Sequence, residues 1–222
     1  MTSTTIDATT TNVFPAAPAA PARHRYDAAA TRPLGFSPTA TLVALAAGVG
    51  PALLAASSVA WIVDAEELRA ILTFWALPAL ALAVVGVAAR LERSAPRTRA
   101  FLTALVVLGA CAGSAFGLEA AMVEHFGTER LIMQDTPSAM LILGLPGPLF
   151  PLSLLVTGIV SFRKRTLAPC SAVLLAVAGA LFPMSRIPQI PALALVADLI
   201  LLAALAPVAV NALRTQSRTA QA

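Results

Sequence analysis

Six apolar runs dominate the chain, at about 41–63, 71–90, 101–123, 139–161, 168–185 and 190–213. A helix needs ~20 apolar residues to cross ~30 Å of hydrocarbon, and each run is near that length, the fifth being the shortest. Inside a bilayer the backbone must satisfy its own polar groups, which makes such runs helices. The sequence therefore predicts an all-α, polytopic membrane bundle with six transmembrane helices over 41–213. A 58% hydrophobic and only 12% charged composition agrees, because soluble domains carry about a quarter charged residues.

The bundle is flanked by tails at 1–40 and 214–222. Residues 1–40 are rich in Thr, Ala and Pro, with Pro15, Pro18 and Pro21 three apart. Such a stretch cannot bury a core and is expected to be disordered. The first apolar run starts too far in for a cleavable signal peptide.

Charge sets the orientation. Arg23, Arg25 and Arg32 lie in the tail, and Arg90, Arg93, Arg97 and Arg99 follow the second run. Arg163, Lys164 and Arg165 follow the fourth run, and Arg214 and Arg218 follow the sixth. All of these fall on one side of a six-span chain. The other side has Arg69, Arg130 and Arg186, with Asp64, Glu66, Glu67, Glu124, Glu129 and Asp135. Cytoplasmic loops collect arginine and lysine, so both termini are expected to be cytoplasmic. Trp61 and Trp75 then fall at the outer interface, where belt tryptophans sit. The pI near 10.0 is thus a matter of topology, and no nucleic-acid partner is expected. Lys164 is the only lysine. With the abundance of alanine, this points to a GC-rich genome and a bacterial cytoplasmic membrane. The expected partners are the lipid bilayer and either a protein or a second copy of the chain.

Gly109, Gly113 and Gly117 recur every fourth residue in the third run, and Ala121 continues the series. On a helix this makes a groove in which a neighbour approaches backbone to backbone. Ala44, Gly48, Ala52, Ala56 and Ala60 repeat the spacing in the first run, as do Ala172, Ala176 and Ala180 in the fifth. The fourth run contains Pro146, Pro148 and Pro151. These remove backbone donors and break or sharply bend a helix. A membrane admits that only where protein or water satisfies the freed carbonyls. Gly50-Pro51 in the first run is a milder break. It is followed by Ile62-Val63 at the offset that separates Gly147-Pro148 from Ile159-Val160. The match reads either as two inverted three-span halves, a transporter arrangement, or as chance similarity between apolar runs.

Few groups can carry chemistry. Asp198 is the only acid well inside a run. An ionised carboxylate there must be paired, protonated or wetted. It is either a proton- or ligand-binding group, or an interhelical hydrogen-bonding partner such as Arg186 would have. Glu119 lies about one turn below the outer end of the third run. It either shares an outer cavity with Asp198, Ser57 and Ser58 or simply reaches the interface. His125, with Glu124 and Glu129, has no recognisable ligand spacing, so a solvated histidine is expected and no metal is assigned. Cys111 and Cys170 differ in depth by roughly 12 Å, too far for a disulfide. Two free thiols packed as small apolar residues are expected. There is no phosphate-binding GxxxxGK[ST] loop and no GxSxG elbow. A second intramembrane aspartate and an intramembrane histidine are also absent from the runs. No catalytic residue and no cofactor is assigned.

The stretch from Pro151 to Gly158, then Arg163-Lys164-Arg165, then Leu174 to Pro183, resembles the helix–basic loop–helix half of small uncharacterised bacterial integral membrane proteins. The resemblance covers about a third of the chain. It implies a multi-span membrane protein and carries over no site residue. Three classes of function stay open: a non-catalytic membrane component or accessory protein, a small-solute or ion transporter using Asp198, and a membrane enzyme with an outer-face site of Glu119, His125 and Asp198.

Overall fold

The computed structural model describes residues 38–92, 94–129, 137–139, 141 and 144–219. The described helices are α1 (Pro38–Ile62), α2 (Glu66–Ala89), α3 (Pro96–Phe126), the single turn α4 (Pro137–Ala139), α5 (Leu149–Lys164), α6 (Pro169–Arg186) and α7 (Pro191–Thr219). No strand occurs among the described residues. Of the expected tail 1–40, only 38–40 are described, and they open α1.

The helix boundaries follow from backbone chemistry. Pro38, Pro96, Pro169 and Pro191 each stand first in their helix, where a missing N–H costs nothing and the fixed φ suits the turn. Gly127 ends α3 in the left-handed conformation at φ 62°, its N–H bonded to the Val123 carbonyl. That is the glycine helix stop. Asp64, Arg165 and Gln189 take positive φ in the tight connections after α1, α5 and α6.

Each long helix packs on its neighbour in sequence, α3 packs on α5, and α7 returns to α1. The six long helices thus close a ring in the order α1, α2, α3, α5, α6, α7. Leu54, Leu80, Val84, Phe150, Leu154, Leu175, Leu201 and Leu205 fill its interior. The outside is apolar too: Trp75, Phe101 and Leu108 are more than half exposed. A helical bundle apolar inside and out is made for hydrocarbon surroundings.

Five helices, α1, α2, α3, α6 and α7, are long and apolar enough to cross a membrane. The fourth apolar run differs from the single span expected over 139–161. Its continuous helix, α5, has 16 residues and is about 24 Å long, short of the ~30 Å of hydrocarbon. It begins beside Gly109, near the middle of α3. Pro146 and Pro148 lie in the turn before α5, where the Pro146 carbonyl accepts the Leu149 N–H at 3.0 Å and the Pro148 carbonyl accepts the Leu152 N–H at 3.1 Å. Pro151 does not break the helix. It sits in the first turn of α5, where no intrahelical donor is needed. Pro51 likewise lies inside an uninterrupted α1, so the two halves do not share a break.

The glycines of α3 meet two partners. A methyl group on Gly109 would strike the backbone of Leu149 and Phe150, and one on Gly113 the side chain of Leu77. One on Gly117 would lie 2.9 Å from the backbone nitrogen of Phe74. The groove therefore seats the start of α5 at one end and α2 at the other. Gly158 and Gly179 do the same between α5 and α6, with Cβ positions 2.5 Å from the backbone nitrogens of Ala176 and Leu155. Close approach of this kind replaces the hydrophobic effect as the source of association in lipid. Cys111 and Cys170 are free thiols. Both are exposed on the outside of the bundle instead of packed within it, because their helix faces point away from the ring.

Candidate functional site

Asp198 lies about two turns into α7 and is completely buried. Three helices converge on it. Ser58, near the end of α1, donates its hydroxyl to Oδ2 at 2.5 Å. Arg186, the last residue of α6, places Nη2 3.2 Å from both carboxylate oxygens. The short connection from α6 to α7, with Gln189 at φ 56°, turns the chain so that these two residues face each other. The guanidinium carbon lies 3.9 Å from the centre of the Phe182 ring, one turn back along α6. Such a cation–π contact is strongest where water is excluded. Phe182 in turn packs against Phe150 at the start of α5, with ring centroids 5.6 Å apart.

Adjacent residues on a helix point about 100° apart, and the two serines of α1 diverge accordingly. Ser58 faces α7. Ser57 faces α2 and shares a 2.9 Å hydrogen bond with Thr73. Both are buried.

The other sequence candidates lie elsewhere. Glu119 and His125 belong to α3, which stands opposite α7 in the ring. Glu119 is half-buried. His125 is exposed, as are Glu124 and Glu129, and its ring packs edge-on against Phe126 at 4.8 Å. Among the described residues no group of three or more His, Cys, Asp or Glu side chains is placed to hold a metal ion. The structure thus gathers Asp198, Arg186 and Ser58, gives Ser57 a different partner, and sets Glu119 and His125 on the far helix.

Chemically, the Asp198 cluster is a charge-balanced node. The guanidinium supplies the counter-charge, and both carboxylate oxygens are engaged. Ser58 is 1% exposed, and its hydroxyl is directed at the carboxylate. Sequence reasoning missed Thr73 and Phe182. The second was legible, because Phe182 and Arg186 are four apart on one helix and such pairs face each other. Thr73 carries no signal of its own in an apolar run.

No protein-family model matches this chain, and no match emerges among curated proteins or among solved structures.

Proposed function

We propose that this protein is a non-catalytic integral membrane component, acting through a protein partner or a second copy of itself, with Asp198 as an internal structural tie. The observation that supports this reading is that both Asp198 oxygens are engaged within the protein: Arg186 reaches both, and Ser58 also reaches Oδ2. A carboxylate poised for a solute would keep an oxygen for it. In this reading the chain crosses a bacterial cytoplasmic membrane six times with both termini inside, and the fourth crossing combines α5 with the proline-containing segment before it.

The test is thermal unfolding of the purified protein against ions and metabolites over pH, in wild type and Asp198→Asn. A ligand that binds the native state raises the melting temperature by mass action. The structural reading expects the variant to be less stable at every condition, with no ligand effect that depends on Asp198. A ligand shift present in wild type and absent in the variant would sink it.

A second reading, a small-solute or ion transporter, is favoured by one feature. α5 begins halfway along the bundle behind two prolines. Helices that start near the membrane midplane are typical of transporter binding sites.

A further inference from the structure

The first half of α3 has one face in the bundle and one outside it. Leu102, Leu105 and Val106 are buried. Leu102 clusters with Ala88 and Leu91 at the end of α2, and Val156 and Val160 of α5 pack against them. Residues two apart on a helix point about 200° away from each other. Ala100, Ala104, Val107 and Leu108 accordingly face out of the ring, and all four are exposed. With Thr103 they line a groove of about 750 Å³. Arg99 and Glu92 line it at one end, where they are paired with each other.

The groove is graded along its length. From Ala100 to Leu108 is about 12 Å of helix, most of the ~15 Å that one leaflet contributes to a ~30 Å hydrocarbon core. Along that length Thr103 is the only polar lining residue. A polar solute would find partners at one end alone, whereas an amphiphile with a charged head and an apolar chain matches the whole groove. The sign of the head follows from its surroundings. Arg97, next in the chain to the lining residue Pro96, is exposed. Arg90 donates to the Thr166 carbonyl at 3.5 Å, which brings the loop after α2 against the connection carrying Arg163, Lys164 and Arg165. Glu92 is the only acid described in these two connections. Its pairing with Arg99 is open to solvent, the two side chains being 57% and 36% exposed, and such surface pairs contribute little. A phosphodiester therefore displaces Glu92 from Arg99 at small cost. Basic clusters at the membrane surface attract anionic lipid headgroups.

We propose that the outward groove on the first half of α3 binds one anionic phospholipid from the leaflet at the arginine-rich end. Arg99 holds its phosphate. Thr103, about one turn deeper, stands at the level of the ester groups. Ala100, Ala104, Val107 and Leu108 carry an acyl chain. The site makes no use of the Arg186–Asp198 pair, which lies on other helices, and stands or falls separately from the structural reading of that pair.

The test adds dioleoylphosphatidylglycerol or dioleoylphosphatidylcholine, which share the same chains, to full-length protein delipidated in a neutral detergent. Native mass spectrometry counts the lipids retained. The expected result is one phosphatidylglycerol held at least about fivefold more tightly than phosphatidylcholine, the factor that one arginine near an anionic surface supplies. Arg99→Gln should abolish that preference by removing the charge, and Ala104→Phe by filling the groove. Neither residue belongs to the buried core, and either variant alone decides the matter. Lys164→Gln, which removes a base outside the groove, should keep the preference. Equal retention of the two lipids by wild type would overturn the proposal. A preference unchanged in Arg99→Gln and Ala104→Phe would place the lipid elsewhere and overturn it too. Loss of the preference in Lys164→Gln to the same degree would mean diffuse attraction to the whole basic end and no site. Wild-type dimers that Ala104→Phe dissolves, without any lipid preference, would assign the groove to a second copy of the chain instead.

Discussion

Arg186 and Asp198 are twelve positions apart, yet Nη2 of the first lies 3.2 Å from both carboxylate oxygens of the second. The Asp198 side chain is 0% exposed and that of Arg186 only 23%. Desolvating two charges is costly, and their attraction roughly offsets it, whereas removing one partner strands the other. Asp198→Asn should therefore destabilise the bundle by about 3 kcal/mol or more. The double variant Arg186→Met/Asp198→Leu should recover most of that loss. Denaturant unfolding in detergent reads both. A double variant as unstable as Asp198→Asn would mean that the pair does more than balance charge.

Ser58 and Ser57 provide a graded comparison on one helix turn. Ser58 donates to a carboxylate at 2.5 Å, and a hydrogen bond to a charged group is worth about 1.5–3 kcal/mol. Ser57 shares a neutral bond with Thr73, worth about 1 kcal/mol. Ser58→Ala should thus cost more than Ser57→Ala in the same unfolding assay. The reverse order would show that the Asp198 node is not held from α1.

The glycines make a sharper prediction. A methyl group on Gly109 or Gly117 would run into backbone on α5 or α2, whereas one on Gly48 meets nothing within 4 Å. Gly109→Ala and Gly117→Ala should each lose about 1–3 kcal/mol or more from overpacking. Gly48→Ala should be neutral or gain up to about 1 kcal/mol from reduced backbone freedom. Melting temperatures of the three variants decide it, and tolerance at Gly109 would mean that α5 does not sit against α3.

Gly48 also shows where sequence reading ran out. Four residues turn an α-helix by about 400°, so a row of small residues at that spacing drifts by about 40° per step. Over Ala44, Gly48, Ala52, Ala56 and Ala60 it winds almost halfway round the helix. Ala44 and Ala60 are buried, but Ala52 and Ala56 are exposed. Gly50, off that row, is the residue that meets α2, with its Cβ position 2.8 Å from the Leu80 nitrogen. The three glycines of α3 span only two steps, so their drift is small. The helical class and most helix positions were legible because apolar runs and loop prolines are strong, local signals. The shortness of α5 in the fourth run was not, because an apolar run says nothing about where its backbone is continuous. Nor was the tolerance of Pro51, Pro78, Pro183 and Pro207 inside helices, since it depends on what neighbouring helices offer the freed carbonyls. Asp198 and Arg186 stood out as rare charges. The groove at Ala100 and Ala104 did not, because which face of an apolar helix lies outward depends on where its neighbours pack.

The ring order carries a prediction about sidedness. Arg90, after α2, reaches the Thr166 carbonyl, after α5, so the two arginine-bearing connections lie at the same end of the bundle. Glu67 lies in the first turn of α2, at the other end. Arginine-rich connections are retained in the cytoplasm. Single cysteines at Ser94, Lys164 and Glu67, all exposed positions, in a background of Cys111→Ser and Cys170→Ser, should divide accordingly in intact cells. A membrane-impermeant maleimide should label position 67 from outside, and positions 94 and 164 only after the membrane is opened. Labelling of 94 and 164 from opposite sides would break the antiparallel ring. Labelling of both from outside, with 67 protected, would leave the ring intact and invert the arginine-based orientation, placing Arg186 and Asp198 in the inner half of the membrane.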